Sequence, residues 1–153
     1  MRLLIDSLIA LMLIAILAGI LLHHRHAAQT RVDHQTVQQA LAQLSAETIY
    51  HAALGEVELN DRGFPTQVRQ KWFGENLPVN VLAPDGQPWL DLAPPGHTAD
   101  QPPDPIITSP KQAGFWYNPN LGIFRARVPA ALSNQQAVEI YNRVNGTKLV
   151  ARR

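Results

Sequence analysis

The chain has 153 residues, 13 Lys and Arg against 12 Asp and Glu, a net charge of +1 with His neutral, and no cysteine. That balance carries no basic stripe of the kind nucleic-acid binders show, and the missing cysteines exclude disulfides, thiolate metal sites and Cys nucleophiles. Once about 30 residues are set aside for an apolar N-terminus, the remainder is enough for one modest domain.

Residues 3–22 are apolar apart from Asp6 and Ser7. A helix of about 20 residues, rising about 1.5 Å per residue, just crosses the hydrocarbon core of a bilayer. Residues 1–25 therefore read as a transmembrane anchor. A cleaved secretory signal is the alternative, but such a signal has an apolar stretch of roughly 7–15 residues and a small-x-small cleavage site. Here the run is longer and ends in Leu-Leu-His-His-Arg-His. Arg2 lies before the span and Arg25 and Arg31 after it, so the positive-inside rule leaves the orientation open. Ala15 and Gly19 form a small-xxx-small pair that allows close helix packing. An ionised carboxylate in hydrocarbon costs several kcal/mol, less near the interface. Asp6 therefore either finds a partner or lies close enough to the headgroups to stay hydrated.

No Pro precedes Pro65, and Gly19 is the one Gly between residues 3 and 54. Val37, Leu41, Leu44, Thr48 and Ala52 recur at steps of three and four, which is one stripe of an amphipathic helix. Gln35, Gln38, Gln39, Gln43 and Glu47 occupy other faces. Residues 26–54 are thus an amphipathic stalk, and the simplest reading is one helix over residues 3–54, on the order of 75 Å long. Two helices broken near residues 23–26 are the alternative. Gly55 is a plausible stop.

Residues 55–153 read as a small β-rich domain. Val57 to Leu59 is a candidate strand, and residues 60–63 (Asn-Asp-Arg-Gly) a turn. Residues 79–82 are a second candidate strand, ended by Pro84-Asp85-Gly86; residues 89–92 alternate apolar and polar once more. The Pro-rich loop 93–110 has too little apolar content to bury and is expected to be extended and exposed. Residues 115–117 and 123–128 flank Asn118-Pro119-Asn120-Leu121-Gly122 as a hairpin. Phe124, Ala126 and Val128 face one way, and Arg125 and Arg127 the other. Ser133-Asn-Gln-Gln136 opens a short helix over about 133–145 with a capping box, and 147–151 can form a last strand.

No Gly-x-Ser-x-Gly, phosphate loop or His-Glu-x-x-His occurs, so no enzymatic function, cofactor or metal is expected. His23, His24 and His26 lack a neighbouring carboxylate and read as an interfacial anchor. His51 and His97 stand alone. Asp91, Asp100 and Asp104 are oxygen ligands of a kind calcium takes, but their spacing reads better as solvated loop acids. Trp72-Phe73, Trp89 and Phe115-Trp116-Tyr117 read as core. Arg125 and Arg127 are candidate partner contacts, with a solvated sheet face as the default. Asn145-Gly146-Thr147 matches a glycosylation sequon and is explained equally by a helix-end turn.

Residues 5–11 (Ile-Asp-Ser-Leu-Ile-Ala-Leu), followed by 14–20 (Ile-Ala-Ile-Leu-Ala-Gly-Ile), resemble the N-terminal helix of type IV pilins and type II secretion pseudopilins. Asp6 falls on that family's glutamate. The resemblance covers roughly the first 54 residues by motif and the rest by architecture. It implies an α+β fold, a long N-terminal transmembrane-plus-amphipathic helix packed on a small antiparallel β-sheet domain. It also implies a single-pass protein of the inner membrane, its C-terminal domain outside the cytoplasm, whose partners are the membrane and other pilin or pseudopilin subunits. Asp6 would pair with a neighbour's N-terminal amine and set the stagger of a filament or secretion pseudopilus, with Ala15 and Gly19 at the helix contact. Met1 and Arg2 stand where the family has the leader Gly and the first mature residue, and His23 where a Pro is common. The Cys pair of many pilins is missing. The competing expectation is a membrane-tethered envelope binding domain that never polymerises.

Overall fold

The computed structural model describes the backbone of residues 2–151 and the side chains of residues 11–25 and 28–151. The chain divides into two compact units, Met1–Asp33 and His34–Arg153. Helix α1, Arg2–Ala53, supplies the first unit and the opening of the second, with no break at residues 23–26. Ala, Leu, Ile and Gln dominate it, all tolerant of the helical backbone. Past its end, Gly55 takes φ +73°, a conformation open to glycine, and its N–H donates to the carbonyl of Ala52 (3.0 Å).

In the second unit the predicted stripe is the buried one. Val37, Leu44 and Thr48 are fully covered, Leu41 and Ala52 partly, and His34 and Ala40 join them. The flanking glutamines tie the helix down. Gln38 donates to the carbonyl of Arg143 (2.9 Å) and Gln43 to that of Asn76 (3.2 Å). Against the stripe lie Val57, the Trp72 and Phe73 of a 3-10 turn (Gln70–Phe73), Phe115, Tyr117, Phe124, Ala126 and Val144. This cluster is the core.

The sheet is mixed, not antiparallel as the resemblance implied. Strands β1 (Leu90–Leu92), β3 (Phe115–Asn118) and β4 (Ile123–Ala126) run in the order β1-β3-β4, with β1 parallel and β4 antiparallel to β3. Strands β2 (Ile106–Ile107) and β5 (Val128–Pro129) form a separate parallel pair. Central β3 is buried on both faces. Phe115 and Tyr117 enter the core, while Trp116 and Asn118 meet the segment carrying His97. Helix α2 (Asn134–Asn145) starts at Ser133, whose Oγ accepts from the N–H of Gln136 (3.2 Å), and ends at Gly146 in the left-handed conformation. Its buried face is Ala137, Tyr141 and Val144.

Three other expectations change, and a fourth holds only in part. Leu59 makes a single bridge with Pro65 instead of a strand over 57–59. Residues 79–82 turn instead of extending, with the N–H of Ala83 on the carbonyl of Asn80 (3.0 Å). Residues 147–151 form no strand. The 93–110 loop is exposed over most of its length, as expected, but it also contributes β2 and buries Ala93, Pro102 and Ile107.

One residue type explains these changes. Asn80 donates to the carbonyls of Gly114 (2.8 Å) and Arg127 (2.7 Å) and accepts from the N–H of Leu82 (3.1 Å). Asn142 accepts from the N–H of Leu149 (2.7 Å) and donates to its carbonyl (2.9 Å). Asn145 does the same to Ala126, at 2.7 and 2.9 Å. Asn118 donates to the carbonyls of His97 (3.1 Å) and Ala99 (2.8 Å). Asn60 accepts from the N–H groups of Arg62 and Phe64 and donates to the carbonyl of Pro119 (2.6 Å). A side-chain amide has the donor and acceptor of a peptide group, so it substitutes for a strand where the backbone does not run alongside.

Candidate functional site

The apolar segment of α1 is the first candidate. Nine large apolar side chains between Leu11 and Leu22 are each about half exposed or more, and no charged residue interrupts them. Covering such a side chain is worth about 1.5–3 kcal/mol, so the segment requires an apolar surrounding. Among the described residues α1 is the one helix long and apolar enough to cross a membrane. Ala15 and Gly19 are exposed here, and a Cβ added at Gly19 would meet nothing within 4 Å. The two positions leave a shallow notch on one side of the helix, open to a neighbouring backbone. Asp6 belongs to α1, but its side chain lies outside the described residues, as does that of His26. The rings of His23 and His24 meet edge to face, 6.4 Å apart.

In the domain the two candidate arginines part company. Arg125 is half-buried on β4, its Nε donating to the carbonyl of Asp100 (3.1 Å) and to Gln101 Oε1 (3.2 Å). Arg127 falls in the one-residue break between β4 and β5, which turns it inward, so it is corrected from a partner contact to a buried joint. It ion-pairs with Asp91 (2.5 Å) and donates to the carbonyls of Ala113 (3.0 Å) and Asp104 (2.9 Å). This joint fastens β1 and the Pro-rich loop to the end of the hairpin. Asp91 also accepts from the N–H of Ala113 (3.2 Å), so its carboxylate is engaged inside the protein. Among the described residues no three His, Asp or Glu side chains gather as a metal site would require.

The isolated histidines turn out to have aromatic neighbours that their spacing hid. His51 stacks on Trp72 at 4.8 Å, the ring planes nearly parallel, and its Nδ1 lies 2.7 Å from Glu56. His97 meets the edge of Trp116. Both partners are remote in sequence, and no local pattern signals them. Two tyrosines are shifted. Burial pushes Tyr117, whose hydroxyl donates to the carbonyl of Pro65 (2.8 Å), up to about 12. Burial also raises Tyr141, which donates to Gln101 Oε1. The Asn145 amide is bound to Ala126 and to the carbonyl of Tyr141 (3.0 Å), so the sequon is a helix-end joint.

No family model matches the chain, and no curated protein or solved structure matches it either. The residues themselves therefore carry the functional reading.

Proposed function

We propose that this chain is a pilin-like or pseudopilin-like structural subunit, held in the inner membrane by residues 1–25 and assembling through that same segment into a filament or secretion pseudopilus. The observation that carries the reading is the bare, charge-free run from Leu11 to Leu22 on a helix whose later turns, from His34, are sunk in a folded domain. A simple tether needs only apolarity. This segment adds the notch of Ala15 and Gly19 and, by resemblance, an acid at position 6 in the place where pilins keep theirs. In this reading the domain stands outside the cytoplasm, and Asp6 is neutralised by the N-terminal amine of a neighbouring subunit. The work is mechanical, and its partners are the lipid and other subunits of the same kind.

The test is crosslinking in membranes. Asp6→Ala should abolish assembly while leaving membrane insertion intact, and Asp6→Glu should restore it. Replacing residues 1–25 with an unrelated anchor should also abolish assembly. Full activity of that chimera in its host would instead identify a tethered binding domain that works alone.

A further inference from the structure

The apolar run of α1 ends in a basic collar. His23, His24 and Arg25 follow Leu22 directly, Arg31 comes six residues later, and no Asp or Glu stands between Asp6 and Asp33. The side chains of His23, His24, Arg25 and Arg31 are all exposed. The Oδ1 of Asp33, in the same compact unit, accepts from the Gln29 amide (2.8 Å). Two positions on from Arg31, Asp33 does not face it. Among the described residues neither arginine has a hydrogen-bond or ion-pair partner.

The helix sets the depth of these groups. At about 1.5 Å per residue, His23, His24 and Arg25 lie within about 5 Å of Leu22 along the axis, and Arg31 about 13 Å from it. The polar layer on each side of a hydrocarbon core of about 30 Å is roughly 5–8 Å deep. The first three residues therefore stand at the depth of the lipid phosphates. Helical side chains lean toward the helix N-terminus. The collar follows the apolar run, so for these residues that direction is back toward the bilayer. Arg31 lies beyond the polar layer, and its long stem lets the guanidinium reach down.

The chemistry suits phosphate. A guanidinium offers paired N–H groups that match two phosphate oxygens. A neutral imidazole offers one N–H in either tautomer. The rings of His23 and His24 are 67° apart in plane, so their donors serve different headgroups. We propose that His23, His24, Arg25 and Arg31 bind the phosphate groups of anionic lipids at the face of the bilayer where α1 leaves it. An acidic protein would have to enter the headgroup layer to reach Arg25, whereas lipid phosphates are already there. The proposal deepens the anchoring half of the reading above, rests on it, and is independent of assembly.

The test uses the full chain in phosphatidylcholine bilayers doped with a spin-labelled lipid. Labelled phosphatidylglycerol should be held beside the protein about fivefold more strongly than labelled phosphatidylcholine, the size of one basic side chain at a negative surface. Arg25→Gln should remove most of that preference, Arg31→Gln part of it, and Arg25→Lys less than Arg25→Gln. Lys148→Gln, in the domain, should leave it unchanged. No preference in the unaltered chain, or one that survives Arg25→Gln and Arg31→Gln together, overturns the collar. So does its loss when inorganic phosphate replaces chloride at equal ionic strength, which would mark a site for free phosphate. Ala15→Cys crosslinking is read on the same samples. If copies crosslink without a lipid preference, assembly stands and the collar falls. If the preference holds and no copies crosslink, the collar stands and assembly falls. Release of the chain by alkaline carbonate would sink the anchor and the collar with it.

Discussion

Along residues 11–25 no side chain of α1 is covered, whereas from His34 to Thr48 every third or fourth one is buried. Both stretches satisfy their backbone groups by the same helical hydrogen bonds. They differ in where the apolar atoms go. In the first the composition is apolar all round as far as Leu22, which suits a surrounding that is itself apolar. In the second, apolar residues alternate with Gln at helical spacing, and the polar face supplies Gln38 and Gln43 to bind the domain. The lesson is that helix formation says little here about stability. What distinguishes the two regions is whether a substitution is felt by a packed core.

The largest contrast should come from deleting the same atoms in both regions. Leu44→Ala, at a fully buried position, should cost the domain about 3–5 kcal/mol. Leu17→Ala, exposed in α1, should change it by less than about 0.5 kcal/mol. Urea unfolding of the full chain in detergent, followed by tryptophan fluorescence, reads both, since Trp72, Trp89 and Trp116 all lie in the domain. Equal effects would erase the distinction.

Next come the two arginines of the hairpin. Arg127→Leu leaves the carbonyls of Ala113 and Asp104 without their donor and should cost about 3 kcal/mol. Arg125→Leu, at the half-buried position, should cost about 1 kcal/mol or less. Between the two falls Asn145→Asp, which puts an acceptor against the carbonyls of Ala126 and Tyr141 and should cost about 1–3 kcal/mol.

Alkaline pH sharpens the comparison further. Tyr117 keeps its proton more tightly folded than unfolded, so its contribution is complete below about pH 10. It is lost as pH rises toward about 12, because only the unfolded chain releases the proton in that window. Tyr141 acts in the same direction. Stability measured by urea midpoint should fall above pH 10, and Tyr117→Phe should flatten part of that fall. The first unit contains no Tyr and should contribute nothing.

The parts of the fold legible in the sequence were those with a period. The α1 stripe, the 115–126 hairpin, the turn after Asn60 and the Ser133 cap all follow from local spacing and capping chemistry. What stayed hidden was pairing across distance. Residues 79–82 and 147–151 have strand-like composition, yet Asn80 and Asn142 take the place of a ladder partner, and an asparagine amide leaves no period to detect. The inward turn of Arg127 rests on a one-residue break that shifts the alternation. Of the candidate site, the apolar run was readable directly. The stacking of His51 on Trp72 joins residues far apart in the chain, and no single segment announces it.

The pair Asn145-Gly146 has a chemical consequence beyond stability. Asparagine before glycine is prone to deamidate, because the glycine nitrogen can close a ring on the side-chain carbonyl. Here that carbonyl accepts from Ala126, and the glycine N–H is committed to the carbonyl of Asn142. The amide is therefore held against Ala126 and the attacking nitrogen is engaged elsewhere for as long as the helix end holds, and ring closure has to wait for that joint to open. The slow ageing of this protein would then be a record of how often it unfolds: each conversion to aspartate removes a donor from the seam between α2 and β4 and makes the next opening easier.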